Sequence, residues 1–428
     1  MRAWARKSWA VLAGVVLSAA LVAGCGHAPP AQEPRPEPSP TAAPPPPGLV
    51  PVTVEVPENM RQQPFNQARE ALVPEGWTMS VYARTSGPRL LAWAPDGVLL
   101  VSVPSTGEVL RIGADGQTSV LLGELTEPHG LAFDGNRLYV AESNQVSVYS
   151  YADGQASNPQ VIAPGLPDGS LEDLRGIYEH ALKSVVLGDD GSVFFSIGST
   201  GNISAEDRDA VPPRATIMRI PPGGGAPEPF ATGVRNGTGL AVAPDGGVWT
   251  AVNGRDNIAE PETGEVRTGY VNDNPPEALA LLTPGRELGW PFCNPVGGPT
   301  DLGFARDAQT NPDGSRMDCA ALPPIERSLP AHSAPLGMNF VELPPPYGPG
   351  ALIGVHGSWN RTPPRAPEVA FFGWRDGVLG EQQTLVGGFQ YPDGTRWGRP
   401  VAAVVGPDGT VYISDDYADA VYRLAPPA

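Results

Sequence analysis

An all-β fold, a six-bladed β-propeller, is what this 428-residue sequence predicts, and three observations carry the prediction. Short apolar runs joined by Asp-Gly recur along the chain, and that dipeptide between apolar runs is the strongest short hairpin signal. The turn signals return roughly every 40–55 residues, the size of one antiparallel propeller blade. Sustained helical periodicity is absent. The 52 glycines and 52 prolines reach a level otherwise met in disordered sequence, yet here they punctuate apolar runs.

The units follow in chain order. The first is LLAWAPDGVLLVSV with GEVLRI, residues 90–112. GLAFDGNRLYVAES with VSVYSY is the second, and SVVLGDDGSVFFSIGS with ATIMRI the third. GLAVAPDGGVWTAVN is the fourth. A unit without Asp-Gly keeps the same rhythm, LGMNFVELPPPYGPGALIGVHGSW with EVAFFGW, and AAVVGPDGTVYISDD with AVYRL is the last. The stretch GWTMSVYAR, 76–84, has no unit of its own and is expected to supply the outer strand that closes the last blade. Residues 255–330 read as a long Pro-rich, polar insertion, and a loop of that length in a compact domain usually covers or performs something.

Residues 1–25, MRAWARKSWAVLAGVVLSAALVAGC, place Arg2, Arg6 and Lys7 before a short apolar run. That is a secretory signal rather than a membrane span. Its Leu-Val-Ala-Gly-Cys ending resembles a bacterial lipobox, which implies cleavage before Cys25 and lipidation of its thiol. The expected organisation is a lipoprotein signal peptide over 1–24, a Pro-rich tether over 25–60 and a propeller over 61–428. An exported lipoprotein held at the cell envelope, on the periplasmic or surface side of a membrane, is the expected location.

Net charge is −18, and the only lysines are Lys7 and Lys183. Nucleic acid is excluded as a partner, because such binding needs a basic face. The two cysteines beyond Cys25, Cys293 and Cys319, are expected to form a disulfide in an exported protein.

In a propeller, residues just before the innermost strands line the central channel at one rim. Four of the five histidines fall at such places: His129, His180, His332 and His356. Arg235 with Asn236, Arg361, Arg396 and Arg399 lie in the same loops. Guanidinium forks suit several carboxylates or phosphates, so this cluster in an acidic protein points to a small polyanion.

Several stretches, in this order, resemble the quinoprotein sugar dehydrogenases of the soluble glucose, sorbosone and pyranose dehydrogenase type. They are YEHALKSVVLGDDG, ATGVRNGTGL, GWPFCNP, HSAPLG, HGSWNR and WGRPVAAVVGPDG, and the likeness runs over about residues 72–425. The resemblance implies a six-bladed propeller binding pyrroloquinoline quinone (PQQ) and Ca²⁺. It implies oxidation of an aldose, sorbosone or related polyol or aldehyde, with electrons passed to an external acceptor. By the same resemblance His180 is the base that takes the sugar hydroxyl proton and Arg235 stabilises charge on the reduced quinone; Glu179, beside His180, either orients the ring or faces solvent. Asn236 matches a cofactor contact, and Arg399 and Arg396 match arginines that grip its carboxylates. The carbonyls of Gly254 and Arg255 match the pair that ligates Ca²⁺. This chain lacks the fifth-blade lysine of the glucose dehydrogenase branch, and His356 or Arg361 stands in that stretch. Two other classes compete: a calcium-dependent lactonase-like hydrolase, which would ring a central metal with Glu, Asn and Asp, and a non-catalytic surface-binding propeller.

Overall fold

Asp-Gly turns close the hairpins as their chemistry requires. The computed structural model describes residues 48–174 and 176–427. In it Gly97, Gly191, Gly246 and Gly409 have φ between 76° and 84°, a left-handed conformation that glycine adopts without Cβ strain. The aspartate before each accepts the backbone N–H two residues on, from Val98, Ser192, Gly247 and Thr410.

Six sheets result. Blade 1 comprises Leu91–Trp93, Leu99–Val103, Glu108–Ile112 and Thr118–Leu122. Blade 2 comprises Gly130–Asp134, Arg137–Ala141, Val146–Ala152 and Gln155–Ala163. Blade 3 is built from Val185–Leu187, Val193–Ile197, Thr216–Ile220 and Glu228–Thr232, with Arg286–Glu287 added in parallel at its edge. Blade 5 runs Pro335–Leu343, Gly348–Val355, Glu368–Arg375 and Val378–Val386. Blade 6 holds Pro400–Val405, Val411–Asp415 and Ala420–Ala425, and its outer strand is Thr78–Arg84, paired Ala420 to Arg84 and Ala425 to Thr78. The N-terminal strand therefore closes the ring, as expected for 76–84.

Blade 4 departs from the sequence reading. Its first two strands are Gly239–Val242 and Val248–Ala251, but the third and fourth, Glu277–Leu282 and Ile325–Leu329, lie inside the stretch expected to be an insertion. What is inserted is the hairpin Cys293–Val296 with Thr300–Arg306 and a short helix, Thr268–Asp273. EALALL carries a strand's apolar content without an Asp-Gly turn to announce it. Cys293 and Cys319 are joined in a disulfide that ties the hairpin to a 3-10 turn at Cys319–Ala321.

The tether also ends earlier than expected. Leu49–Thr53 pairs with Glu70–Pro74, and Val54, Met60 and Phe65 are buried. Phe65 packs edge-on against Trp397 and Tyr422 of the closing blade, burial that contributes roughly 2–3 kcal/mol for a phenyl ring. Residues 1–47, which hold the expected signal peptide, Cys25 and most of the expected tether, lie outside the described residues.

The core lies between blades. Trp249 and Leu279 of blade 4, for example, pack with Ile353 and Phe372 of blade 5. Among the described residues no helix is long and apolar enough to cross a membrane.

Candidate active site

His180 stands on a backbone platform. The loop preceding blade 3 is strapped to the end of that blade's second strand: the Tyr178 hydroxyl donates to the Gly198 carbonyl at 2.6 Å, and Glu179 N–H donates to Thr200 O. Gly198 has to be glycine, because a Cβ there would lie 2.6 Å from the His180 Cβ and from its carbonyl oxygen. Below the loop, the fully buried Lys183 ammonium donates to the carbonyls of Pro167 and Ala181, both at 2.8 Å.

The imidazole is oriented by Ser199. His180 Nδ1 lies 2.9 Å from Ser199 Oγ and 3.1 Å from the Ser199 carbonyl oxygen. The hydroxyl donates to Gly201 O at 2.8 Å and a carbonyl only accepts, so Nδ1 carries the proton and the lone pair is on Nε2. Burial, and then the positive charge of Arg235, pull the His180 pKa down to about 3, which keeps the ring neutral. Glu179 lies on the cavity wall, and the ring-orienting contacts come from Ser199.

Arg235 is 2% exposed and lines the same cavity as this ring. It donates to Asn253 O at 3.1 Å and Asn202 Oδ1 at 3.2 Å, and sits 3.4 Å from Asp256 Oδ2. Its Nε is buried without a partner among the described residues. Its backbone is pinned between blades, since Ser199 N–H donates to Arg235 O and Asn253 N–H to Asn236 O.

Asp256 gathers groups from several loops. Asn202 Oδ1 accepts its N–H, and Asn360 Nδ2 donates to its Oδ1 at 3.0 Å. Burial acts to raise the Asp256 pKa, but the His332 ring, 3.7 Å away, and Arg235 outweigh it and hold it low. His332 is held reciprocally. Burial would depress it, but Asp256, the Val271 carbonyl and Glu277 leave it above its ordinary value. His332 and Ala334 both take positive φ, 60° and 50°, conformations costly for residues with a Cβ and concentrated at functional sites. Glu277, 3% exposed, accepts from Gly254 N–H, and its burial pushes its pKa up to about 7.

These groups line one cavity of about 280 Å³, walled by Glu179, His180, Arg235, Asp256, Glu277 and His332 on one side. His356, Trp359, Asn360 and Arg399 complete it from the other. The structure thus brings together His180, Arg235, His356 and Arg399, drawn from loops over four blades. Asn236 lies behind the wall, 7% exposed. Two expected arginines are elsewhere. Arg396 donates to Gln390 and to the carbonyls of Ser358 and Arg365, clipping the loop that carries Trp359. Arg361 lies 3.6 Å from Asp273 and faces a separate cleft of about 380 Å³. Both are held by neighbours within the fold, away from the 280 Å³ cavity. Gly254 and Arg255 line a small recess behind Arg235, and the Arg255 side chain makes a buried ion pair with Asp307 at 3.1 Å. His129 is wholly buried, its Nδ1 3.2 Å from Lys183 O.

The donor set fits a flat polyacid. Arg235 keeps an unpartnered buried N–H, and Arg399 uses only Nε, on the His356 carbonyl, among the described residues. Both guanidiniums therefore retain hydrogen-bonding capacity toward carboxylates in the cavity. A metal there would rely on carbonyl oxygens, because no cluster of three or more His, Cys, Asp or Glu is arranged as ligands among the described residues. The cavity is also more acidic than its sequence suggested, since Glu179, Asp256 and Glu277 all reach it. Of the residues not named from the sequence, Ser199, Asp256, Glu277 and Trp359 matter most; Ser199 closes SVVLGDDGSVFFSIGS, Trp359 lies within HGSWNR, and Asp256 and Glu277 lie in the stretch read as an insertion.

The family model described as TrAA12-like matches residues 71–426 of this chain. A pyrroloquinoline quinone-dependent pyranose dehydrogenase of Coprinopsis cinerea is 25% identical over 281 residues, 54% of this chain but only 37% of that protein's length. Among solved structures, the holo form of the pyranose dehydrogenase PQQ domain from Coprinopsis cinerea superposes with a TM-score of 0.69 at 21% identity, covering 83% of this chain and 97% of that one. A calcium structure of the Trichoderma reesei carbohydrate-active enzyme of family AA12 superposes at 0.66 with 20% identity, covering 83% and 96%.

Proposed function

The chain belongs to the TrAA12-like family, and from that premise we propose that it is a PQQ-dependent sugar dehydrogenase whose chemistry occurs in the 280 Å³ cavity. The observation that carries this reading is the convergence there of a neutral imidazole, His180, with two guanidiniums of unused bonding capacity, Arg235 and Arg399. The substrate is a sugar presenting an oxidisable CH–OH group, such as an aldose or sorbosone, and electrons leave to an external acceptor.

PQQ, when bound, supplies a two-electron acceptor for the hydride leaving the sugar carbon. The chain's own residues do the rest. His180 Nε2 accepts the substrate hydroxyl proton, and Ser199 keeps that nitrogen free by holding the proton on Nδ1. The resulting imidazolium is stabilised by the negative charge of Asp256, which already acts to raise the His180 pKa. Arg235 and Arg399 would hold the PQQ carboxylates and stabilise developing negative charge. Gly254 and Arg255 would hold a Ca²⁺ through their carbonyl oxygens, a donor type that calcium accepts. Trp359, 73% exposed at the mouth, offers an aromatic face to the sugar ring.

Export as a lipoprotein anchored through Cys25 is proposed with it, on the basic, apolar and Leu-Val-Ala-Gly-Cys segments of residues 1–25. Labelling with a radioactive fatty acid, lost in Cys25→Ala, tests the anchor. The dehydrogenase reading is tested by titrating PQQ into cofactor-free protein with Ca²⁺ and assaying dye reduction over a sugar panel. Micromolar or tighter binding with sugar-dependent dye bleaching is expected. Silence in both assays overturns it.

A further inference from the structure

His356 is held from the side away from the cavity. Its Nε2 lies 2.7 Å from Asp416 Oδ1, and the other carboxylate oxygen, Oδ2, accepts from Arg89 at 2.5 Å. The three residues come from different blades: Arg89 precedes blade 1, Asp416 follows the second strand of blade 6 and His356 the second strand of blade 5. All three side chains are 20% exposed or less. Burial, reinforced by Arg399 and Arg89 against the pull of Asp416, lowers the His356 pKa to about 4, so the ring is neutral. A neutral imidazole has one N–H. A carboxylate only accepts, so that hydrogen is on Nε2 and the lone pair is on Nδ1, which has no partner among the described residues.

We propose that Asp416, braced by Arg89, is a positioning residue that presents His356 to the cavity as a hydrogen-bond acceptor and so selects a ligand hydroxyl at that point. The arrangement reverses the polarity of a lysine in the same stretch, which could only donate. Arg399 braces the same residue through its Nε on the His356 carbonyl and leaves its remaining donors for the carboxylates. A bare acceptor at this point matches a hydroxyl, which can donate to it, rather than a second carboxylate, which cannot. This inference rests on the reading of the cavity as a sugar site.

The test uses Asp416→Asn. The guanidinium of Arg89 only donates, so the amide oxygen stays on it and the amide NH₂ turns to His356 Nε2. That forces the ring proton onto Nδ1 without changing shape. Proton–nitrogen correlation spectra of the cofactor-free protein report the tautomer directly, and with five histidines the ring is assignable through His356→Gln. The expected result is an Nε2-protonated His356 in the wild type and an Nδ1-protonated ring in the variant. With D-glucose and L-sorbosone as probes, KM should rise about tenfold, the scale of one hydrogen bond, while PQQ affinity changes less than about twofold. Asp416→Asn should add nothing in the His356→Gln background. An Nδ1-protonated ring in the wild type overturns the proposal, as does a flipped tautomer with unchanged KM. Absence of turnover by the wild type with any sugar would instead sink the dehydrogenase reading, and the wild-type spectrum separates that failure from failure of the relay.

Discussion

The innermost strands of this propeller end in two unlike rims. At one rim five of the six innermost strands turn through Asp-Gly, and in four of those turns the aspartate caps a backbone N–H two residues away, as Asp245 does for Gly247. Those contacts are local and recur in blades 1, 3, 4 and 6. At the opposite rim, where the same strands begin, charged and titratable groups are buried and their partners come from separate loops, some of them on other blades. Arg235 meets Asn202 and Asp256, His180 meets Ser199, and His356 meets Asp416. A carboxylate at the first rim shapes its own turn, whereas at the second it sets the protonation or orientation of a side chain far away in sequence. Identical strand geometry thus supports a structural end and a chemical end, and the difference lies in the range of the contacts.

The sharpest way to break this contrast is His180→Gln. Turnover of PQQ-loaded enzyme should fall by about 10³-fold while PQQ affinity, read by titration, stays within a few fold. An equal loss from Asp245→Ala would abolish the distinction between the rims. Next comes removal of the disulfide with Cys293→Ala and Cys319→Ala. The bridge spans 26 residues, and loop-closure entropy puts its contribution at about 3.5 kcal/mol. Urea unfolding should show that loss, together with a smaller drop in activity, because the tied hairpin carries Asp307, the partner of Arg255 beside Asp256. Unchanged stability would detach the blade 4 hairpin from the chemical rim.

Gly198→Ala should act on chemistry before stability. The new methyl would press on the His180 Cβ and carbonyl at 2.6 Å, so the ring has to move. A fall in kcat of about tenfold or more is expected with a modest change in Tm, since small displacements of a reacting group weigh heavily on rate. Full activity would mean that the platform is looser than its contacts imply.

Protonation gives a gentler test. In the cofactor-free protein His180 and His356, lowered to about 3 and about 4, should stay neutral at about pH 5, while His332, raised, is protonated there. The first two rings bind protons in the unfolded chain below about pH 6.5 but not in the native one. Their contribution to stability is present above that pH and lost as pH falls toward 4 and then 3. Glu277 and Asp415, both raised to about 7 by burial, act in the opposite sense, stabilising below the ordinary carboxylate range and losing that as pH rises through 7. Imidazole nitrogen shifts followed over pH check the assignments, and a charged His180 at about pH 5 would contradict the burial argument.

The same contrast governs what could be read from the sequence. Asp-Gly turns announce themselves within four residues, so the ring of blades and the closing strand at 78–84 were legible. His180, Arg235, His356 and Arg399 were legible too, because position just before or after a strand places a side chain at a rim. Ser199, Asp256, Glu277 and Asp416 were not. Each acts on a partner between 19 and 60 residues away or on several loops at once, and no local pattern marks such a pairing. Arg396 and Arg361 show the converse, since a loop arginine in a promising motif can be satisfied by backbone carbonyls or a neighbouring aspartate. The strand at Leu49–Thr53 was hidden by proline, which reads as linker even where it ends in a paired edge.

Asp245→Ala should have the smallest effect, and for that reason it tests the contrast from the structural side. The carboxylate makes one exposed bond, to Gly247 N–H at 3.0 Å, in a turn whose conformation Gly246 already permits. Water can replace that acceptor, so stability should change by no more than about 0.5 kcal/mol and kcat/KM not at all. A Gly246→Ala change in the same turn should cost more, because φ of 84° is strained for any residue with a Cβ. If the aspartate proves the costlier of the two, the carboxylate caps rather than the glycines set these turns. The non-chemical rim would then depend on charge after all, and the difference between the two ends would be one of degree.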